Sequence, residues 1–320
     1  MFMQAPASKR LADLVALRSM ARGIIEISFA EGDRMITRRT FLGWAGAVGL
    51  TLPSARLDAQ HRSFPGPFGI QLYSLRHHFK DDVPGTLRLI REAGYTDVET
   101  AGFYGWTPAD FKKQLDAAGL KCTGMHSGDD SRFRTRLDEV LREAEIFRTD
   151  YVITPWVSED RRKDVEGCKR VAEDFNDWGK RIRAAGFRFG FHNHDAEFKP
   201  LGSTTALDAF IQHTDPKYVD FELDVFFAQK VGIPPAKFLR KYPGRFKLVH
   251  LKDVAKSLST GFDPAPENSS VPLGYGQIDW PKTLAAAVDA GVKYWYVEEE
   301  SDTSHEGIRE SIHYLRNVRF

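Results

Sequence analysis

Short apolar runs alternate with segments of helical periodicity from residue 67 to the C-terminus of this 320-residue chain. Each run has the length of a buried β-strand, and the segment after it repeats its apolar residues every three to four positions, as an amphipathic helix does. The runs occupy residues 68–73, 96–100, 121–126, 150–155, 187–192, 218–224, 246–251 and 294–299. Eight strands and eight helices in strict alternation predict an α/β fold, a single (β/α)8 TIM barrel.

An open doubly wound sheet is the alternative fold for the same alternation. Such a sheet commonly carries a glycine-rich phosphate turn after its first strand, and the segment after Leu72–Arg76 has no such turn. Glycines follow four of the predicted helices, as C-terminal caps do, shortly before the next strand. They are Gly94, Gly119, Gly186 and Gly291. The closed barrel is therefore the favoured interpretation.

The N-terminal region predicts an export signal. Arg38 and Arg39 lie within Thr37–Leu42, and a weakly apolar run (43–52) and a polar stretch follow. This order resembles a bacterial twin-arginine signal, which directs a folded protein to the periplasm, whereas a surface helix that contains Arg-Arg is the alternative. The apolar run has only about ten residues, too few to span a bilayer as a helix, so no stable membrane anchor is expected.

The chain is accordingly divided into two regions. Residues 1–60 form an N-terminal extension with the signal, in which Met35 is the predicted true start, and residues 61–320 form the barrel domain. Basic and acidic residues are balanced, 45 against 44, which gives no electrostatic case for binding nucleic acid. Cys122 and Cys168 are too few for a thiolate metal cluster or a disulfide framework.

Imidazole and carboxylate side chains mark the ends of the last four predicted strands. His192 and His194 close the fifth strand, Asp224 the sixth, His250 the seventh and Glu298 the eighth. The C-terminal ends of barrel strands meet at one face, where active sites lie. Alternate residues face the interior, and buried charged groups are costly unless they are paired or bind a metal. The pattern predicts a site for one divalent metal ion.

Each of these residues also has an ordinary explanation when it is taken singly. A lone histidine at a strand end is more often a hydrogen-bonded structural residue than a ligand. Asp224 can cap the helix that follows it, and the run Glu298–Glu300 can be a solvated edge. The metal prediction depends on the combination of strand position, shared face and ligand type.

One connection is much longer than the others. Residues 254–277, between the seventh strand and its helix, are rich in proline, serine, glycine and asparagine. A long loop in a compact barrel is usually functional, often a lid over the site, and a mobile surface excursion is the alternative.

From about residue 67 onward the chain resembles the sugar phosphate isomerase/epimerase family, within the xylose isomerase-like TIM barrel superfamily. The segments that carry the resemblance are His192-Asn193-His194-Asp195 with Glu197, Glu222-Leu223-Asp224, His250-Leu251-Lys252-Asp253, Gly274-Tyr275-Gly276 with Asp279-Trp280, and Val297-Glu298. The ordered set is specific for the superfamily and much less specific for the reaction.

The resemblance implies a ligand set. Carried over residue by residue, the metal ligands of the family fall on Asp224, His250 and Glu298. The family usually has a glutamate as its first ligand, on strand five, and His192 stands there in this chain. We assign His192 to the metal and His194 to the general base, while the residues leave open which of the two meets the ion. The expected cofactor is one divalent ion, Mn²⁺, Mg²⁺, Co²⁺ or Zn²⁺.

The implied chemistry is proton removal next to a carbonyl, which forms an enediolate. His194 suits the base because its pKa is ordinarily near neutral pH. Glu298 is a second catalytic candidate, and Lys252 can stabilise the oxyanion, unless it only pairs with Asp253 or Glu300. The candidates for substrate binding are Glu197, Tyr73 and Glu300, with Glu99 and His126 as weaker ones and Trp106, Trp156 and Phe226 as apolar faces.

The leading functional hypothesis is a metal-dependent isomerase or epimerase that acts on a sugar or keto-sugar. A lyase or hydratase with the same enolate chemistry, either a dehydratase or an enzyme that cleaves 3-keto-glycosides, is the alternative. A non-catalytic sugar-binding barrel is a third hypothesis. An apurinic endonuclease is disfavoured because Val-Phe-Phe follows Asp224, where such enzymes have a further histidine. The expected partner is a small carbohydrate, and association into a homo-oligomer is left open.

Overall fold

The TIM barrel predicted from the sequence is confirmed. A computed structural model describes residues 62–320. The strands are β1 (Gly69–Gln71), β2 (Asp97–Thr100), β3 (Lys121–His126), β4 (Tyr151–Thr154), β5 (Arg188–His192), β6 (Val219–Asp224), β7 (Phe246–Leu251) and β8 (Tyr294–Val297). They are parallel and close into one barrel in the order β1-β8-β7-β6-β5-β4-β3-β2. The predicted twin-arginine signal and the start at Met35 lie outside the described residues.

One barrel helix follows each strand. These helices are α1 (Val83–Ala93), α2 (Pro108–Ala118), α3 (Asp130–Phe147), α4 (Val165–Ala184), α5 (Ala206–His213), α6 (Pro235–Lys241), α7 (Trp280–Ala290) and α8 (Ser304–Asn317). Two shorter helices, Arg76–Phe79 and Val225–Lys230, follow the ends of β1 and β6. Within residues 62–320, no helix combines the length and the apolar character that crossing a membrane requires.

Helix α4 illustrates why the outer layer forms. Asp164 caps its N-terminus, because its side chain accepts a hydrogen bond from the Gly167 N–H at 2.7 Å. The residues it buries recur at the spacing of one helical face: Cys168, Val171, Phe175, Trp178 and Ile182. Their side chains join the main apolar core of the protein. Both cysteines are buried and free.

The barrel interior holds a small apolar cluster of its own. Tyr151, Ile153, Leu248 and Tyr296 form it, on β4, β7 and β8. Polar residues replace this cluster toward the C-terminal ends of the strands. The register there pairs His192 with Glu222 and Asp224 with His250. The strand register therefore places His192 beside Glu222, two residues before Asp224 along β6.

The first and last strands are shorter than the apolar runs that predicted them. β1 ends at Gln71 because the chain turns at once into a 3₁₀ helix, Leu72–Leu75, where the Gln71 side chain accepts a hydrogen bond from the Tyr73 N–H at 3.0 Å. β8 ends at Val297, so Glu298 follows the strand. Side chains at such strand ends are free to point over the mouth of the barrel.

The long connection at 254–277 is anchored at its base by a buried aspartate. Asp253 Oδ2 accepts hydrogen bonds from the N–H groups of Gly274 (2.9 Å) and Gly276 (3.1 Å) and from Trp280 Nε1 (2.7 Å). A Cβ on Gly276 would lie 2.1 Å from Asp253 Oδ1, so only glycine fits. The Gly-Tyr-Gly motif therefore has a structural explanation: it surrounds this carboxylate.

Replacing Asp253 with alanine is expected to lower the free energy of unfolding by about 3 kcal/mol or more, because several buried donors lose a charged acceptor together. Urea unfolding followed by circular dichroism measures this. Asp263→Ala is the matched control, since Asp263 is exposed in the same connection. An unfolding free energy equal to that of the control would contradict the anchoring role.

Candidate active site

A cavity of 740 Å³ opens at the C-terminal ends of the strands. Seven of the residues predicted for the site line it: Tyr73, His192, His194, Asp224, Lys252, Glu298 and Glu300. Two others, His250 and Glu197, are buried next to that lining. The volume lies within the range of about 300–1,000 Å³ that small-molecule sites have.

Asp224, His250 and Glu298 form what we call the aspartate group. One potential ligand atom from each lies within 4.8 Å of the others. His250 Nδ1 is 2.6 Å from Glu298 Oε2, and the Phe226 N–H donates to Asp224 Oδ1 at 2.7 Å. Asp224 Oδ2 is buried and has no hydrogen-bond partner among residues 62–320. A buried carboxylate oxygen without a donor is costly, so this atom fits a role as a cation ligand.

The charges of the aspartate group are unequal. Burial, reinforced by the Glu298 carboxylate, raises the pKa of Asp224 to about 7 although Lys252 lowers it. Burial also opposes ionisation of Glu298, yet the charges of Lys252 and His250 hold the pKa of Glu298 well below its usual range. Two carboxylates that share one site repel each other, and a bound cation relieves this repulsion.

A second set of side chains, the histidine group, consists of His126, His192, Glu222 and, shared with the aspartate group, His250. Glu222 Oε2 lies at its centre, 3.0 Å from His126 Nε2, 3.2 Å from His192 Nδ1 and 3.2 Å from His250 Nε2. His192 therefore contacts Glu222 and His250 but does not belong to the aspartate group. Its assignment as a metal ligand stays a prediction.

Glu99 adds a second carboxylate to the histidine group. Its Oε2 lies 2.6 Å from His250 Nε2 and 3.0 Å from His126 Nε2, and it accepts a hydrogen bond from Gln71 Nε2 at 2.6 Å. Burial opposes ionisation, but the two histidines lower the pKa of Glu99 to about 2. Burial and the charge of Glu99 both raise the pKa of Glu222. The charge of His250 and the hydrogen bonds to His126 and His192 outweigh them and lower this pKa to about 2.

The imidazoles of this group differ in charge. Burial lowers the pKa of His192 well below its usual value, and the neighbouring His250 lowers it further. Burial acts in the same direction on His126, but Glu99 and Glu222 outweigh it and raise the pKa of His126 to about 9. Burial likewise opposes the charge of His250, but Glu222 and Glu99 outweigh it and raise the pKa of His250 well above its usual value. His192 is therefore the neutral imidazole of the group, and His126 and His250 are the charged ones in the absence of a metal.

Glu99 orients His250. Glu99, as the acceptor at Nε2, holds a proton on that nitrogen, so Nδ1, which lies 2.6 Å from Glu298 Oε2, is the nitrogen that would exchange its proton for a cation. A carboxylate behind a ligating histidine is the usual arrangement in metal sites, and it fixes both the tautomer and the plane of the ring.

Glu99→Gln is expected to lower the affinity for a divalent ion by about 10- to 100-fold, because the amide can donate to Nε2 and reverse the tautomer. Calorimetric titration of the metal-free protein with Mn²⁺ measures the affinity. Asp97→Asn, at the start of the same strand, is the control and should bind as the unaltered protein does. An affinity for Glu99→Gln within twofold of the control would rule out the orienting role.

Lys252 is a buried cation on the cavity wall. Its Nζ forms an ion pair with Glu300 and lies 3.5 Å from Glu298 Oε1, while Asp253 is occupied by the backbone of the long connection. Burial opposes its charge, yet Glu298 and Glu300 raise the pKa of Lys252 above its usual range. Lys252 thus stays charged beside the aspartate group, as stabilising a developing oxyanion requires.

His194 lines the cavity as a neutral base. Burial, with the charge of Lys252 as the second cause, lowers the pKa of His194 to about 4. Its Nδ1 is buried and has no hydrogen-bond partner in the described part of the chain. Its ring lies edge-on to Trp156 at a centroid distance of 5.4 Å and near Phe227 at 4.9 Å. Aromatic side chains therefore hold the imidazole in place.

Glu197 supports the turn that presents His194. Its Oε2 accepts the His194 N–H at 2.8 Å, and its Oε1 lies 3.2 Å from Arg162 Nε. Both Glu197 and Arg162 are buried. Its assignment to substrate binding stays a prediction, and the contacts in the structure are those of a residue that positions the backbone.

Two aromatic rings stand at the cavity mouth. Tyr73 and Trp156 both line the cavity and are each 44% exposed, unusual for such large side chains. The Arg76 guanidinium lies 4.4 Å from the centroid of the Tyr73 ring. Trp106 is exposed outside the lining, and Phe226 is buried. Tyr73 and Trp156 are therefore the two predicted aromatic residues that are placed to contact a ligand in this cavity.

Comparison with known proteins agrees with the barrel fold. The family described as xylose isomerase-like TIM barrel matches residues 87–318. The chain belongs to this family. An inosose dehydratase of Bacillus cereus (strain AH820) is 26% identical over 142 residues, or 42% of this chain and 47% of the relative. The chain thus spans about half the length of the first curated relatives it matches.

Two solved structures of similar fold are informative. A sugar phosphate isomerase/epimerase of Parabacteroides distasonis ATCC 8503 has a TM-score of 0.66 and 28% identity, over 78% of this chain and 93% of that one. The IOLI protein with a binding zinc atom has a TM-score of 0.62 and 13% identity, over 78% of this chain and 96% of that one. At 13% identity, the second likeness shows the fold alone.

The donors of the aspartate group fit a metal site. Two carboxylates and one imidazole suit a hard or borderline divalent ion, such as Mn²⁺ or Zn²⁺. Asp224 Oδ2, which has no hydrogen-bond partner among residues 62–320, and His250 Nδ1, which now contacts Glu298 Oε2 at 2.6 Å, are the atoms that would turn to it.

Sequence reasoning underrated three residues of the site. Glu99 and His126 were only weak candidates for sugar binding, and Glu222 was only noted beside Asp224. The signal was present, since Glu99 lies near the end of β2 and His126 at the end of β3. No other ionisable side chain stands beside Glu99 or His126 at that end of its strand, so a structural explanation was equally good until the fold brought them together.

Proposed function

We propose that this protein is a metal-dependent enzyme that isomerises or epimerises a sugar or keto-sugar through an enediolate. One observation carries the proposal: the aspartate group lies beside a sugar-sized cavity whose wall also holds Lys252 and His194. The cavity offers aromatic faces and polar edges together, the combination that a carbohydrate needs.

Asp224, His250 and Glu298 would hold the ion. When bound, a divalent ion polarises a carbonyl oxygen of the substrate as a Lewis acid. His192 would support the metal site through its contacts with His250 and Glu222, or would bind the ion as a fourth ligand. Glu99 keeps the His250 ring in the ligating tautomer.

The residues of this chain would then move one proton. His194 would accept it from the carbon next to the carbonyl, because its imidazole is neutral and its side chain lines the cavity. The Lys252 ammonium stabilises the negative charge on the enediolate oxygen. Return of the proton to the neighbouring carbon gives an isomer, and return to the other face of the same carbon gives an epimer. Glu298 is the second group that can carry it.

A lyase or dehydratase is the second candidate. The inosose dehydratase relatives support it, as does a histidine, His192, where the epimerase pattern has a glutamate. The first step is the same proton removal. The enediolate then expels a hydroxide or an alkoxide from the next carbon, which takes a proton and leaves as water or an alcohol.

Solvent exchange distinguishes these reactions. The Mn²⁺-loaded protein is incubated in D₂O with keto-hexoses and 3-keto-glycosides, and NMR follows each C–H group next to the carbonyl. An isomerase or epimerase is expected to introduce deuterium and to form a new sugar of equal mass apart from the label. A lyase forms an unsaturated product with loss of water or an alcohol. Bound metal with no exchange on any substrate would contradict both and favour a non-catalytic sugar-binding barrel.

We also propose export to the periplasm, which the Arg38-Arg39 motif supports. Replacing both arginines with lysine is expected to leave the full chain in the cytoplasm, as measured by cell fractionation. The matched control, Arg18→Lys with Arg22→Lys, lies before Met35 and should not change the distribution. Unchanged export of the Arg38/Arg39 variant would exclude a twin-arginine signal.

A further inference from the structure

A second cavity adjoins the candidate active site. Its volume is 310 Å³, and it shares Phe227, Lys252 and Glu300 with the larger cavity. Its remaining lining comes from the long connection and from the segments that follow β1, β6 and β8, and includes Arg76, Phe226, Ala265, Pro266, Asn268 and Asp302. The two spaces therefore meet at the Lys252–Glu300 ion pair.

Charged side chains define this junction. Glu300 pairs with Lys252 and also lies 3.4 Å from Arg76 Nη1. Arg76 lines the second cavity, while its guanidinium covers one side of the Tyr73 ring, which lines the first. A ligand that spans both cavities would have its central atoms beside donors from two cations and an acceptor from Glu300.

The far wall of the second cavity is held in place by hydrogen bonds. Asn268 Nδ2 donates to Asp302 Oδ2 at 2.9 Å, and the Asp302 N–H donates to Asn268 Oδ1 at 2.8 Å. Ser270 Oγ accepts from the Glu300 N–H at 2.7 Å and donates to Glu299 Oε1 at 2.9 Å. The long connection is thus fastened to the segment after β8, and the cavity between them is preformed.

The lining has the chemistry of a sugar subsite. The second N–H of the Asn268 amide and the second carboxylate oxygen of Asp302 are left for hydroxyls, while Phe226 and Pro266 offer apolar surface for the faces of a ring. The volume stands at the lower end of the range of about 300–1,000 Å³ for small-molecule sites, which suits one ring and not a large group.

We propose that this second cavity is a subsite for a second sugar unit, so that the substrate is a glycoside whose reacting ring occupies the larger cavity. The inference rests on the proposed carbohydrate function and deepens it by naming the substrate class. The bond between the two units would lie at the Lys252–Glu300 junction.

Binding measurements test this without turnover. Calorimetric titration compares hexoses (D-glucose, D-galactose, D-fructose) with disaccharides (maltose, cellobiose, trehalose, lactose) on the Mn²⁺-loaded protein. Ala265→Trp would fill the second cavity from an exposed position, with Ala265→Phe as a smaller second variant. Ser259→Trp is the matched control, exposed in the same connection but outside the lining.

At least one disaccharide is expected to bind about tenfold more tightly than every hexose. Ala265→Trp should remove this advantage while hexose affinity stays within twofold, and Ser259→Trp should keep it. If hexoses and disaccharides bind equally, or if both Ala265 variants keep the advantage, the second subsite is excluded and the carbohydrate function stands. If no sugar binds, the proposed carbohydrate function itself fails.

Discussion

Replacing Asp224 with asparagine is expected to lower the affinity for a divalent ion by at least about 100-fold, the upper end of what supporting residues contribute. The amide keeps the shape of the side chain and can still accept from the Phe226 N–H, but it lacks the second anionic oxygen that has no other partner among residues 62–320. Exchange of substrate protons should fall about 10³-fold with it, because the developing charge loses its principal counter-charge. Calorimetry with Mn²⁺ and NMR exchange rates measure the two effects.

Stability separates this result from simple unfolding. Burial disfavours the charged form of Asp224, whose pKa is raised to about 7, so removing that charge costs the metal-free fold nothing. The metal-free variant should therefore unfold at the same temperature as the unaltered protein, or at a higher one. Mn²⁺ should raise the unfolding temperature of the unaltered protein but not that of Asp224→Asn. An equal metal-induced rise in both would show that Asp224 is not a ligand.

The fold was predictable because its determinants are local and repeated. In an amphipathic helix such as α4, the spacing of the apolar residues shows which face is buried. Its capping residue, Asp164, directly precedes the first helical residue. A strand of a parallel barrel is a short apolar run, and eight such runs with helices between them leave few topologies. The ends of β1 and β8 were less predictable, because the turn after Gln71 depends on a side-chain hydrogen bond.

Residues of the site were predictable as a set, but their grouping was not. Alternation along a strand tells which residues face inward, so His192, Asp224 and His250 could all be placed at one end of the barrel. It does not tell which strand neighbour each one meets. That depends on the register between strands, which pairs His192 with Glu222 and Asp224 with His250. The register results from closing the whole barrel and is not encoded in any one strand.

Glu99 and His126 show the same limit. They belong to β2 and β3, far along the chain from His250, and nothing near them in the sequence indicates that partner. The bond from Glu99 to His250 joins residues 151 positions apart. Such a contact follows from closure of the barrel, which brings the ends of all the strands to one site.

His194→Gln is expected to lower the rate of proton exchange by about 10²- to 10⁴-fold, the usual contribution of a general base. The affinity for Mn²⁺ should stay within twofold, because His194 lies outside both the aspartate group and the histidine group. The glutamine side chain is similar in length and keeps a polar atom in the cavity, so the space beside Trp156 and Phe227 stays filled.

His192→Gln is the matched comparison, since the two histidines are two residues apart and both line the cavity. This change should act mainly on the metal, because His192 contacts Glu222 and lies against His250 at a centroid distance of 4.4 Å. A fall in Mn²⁺ affinity with little further change in exchange at saturating metal is therefore expected. The reverse pattern, with metal lost in His194→Gln and retained in His192→Gln, would exchange the two roles. The chemistry would then begin from a different base, while Asp224, His250 and Glu298 would keep their place as ligands.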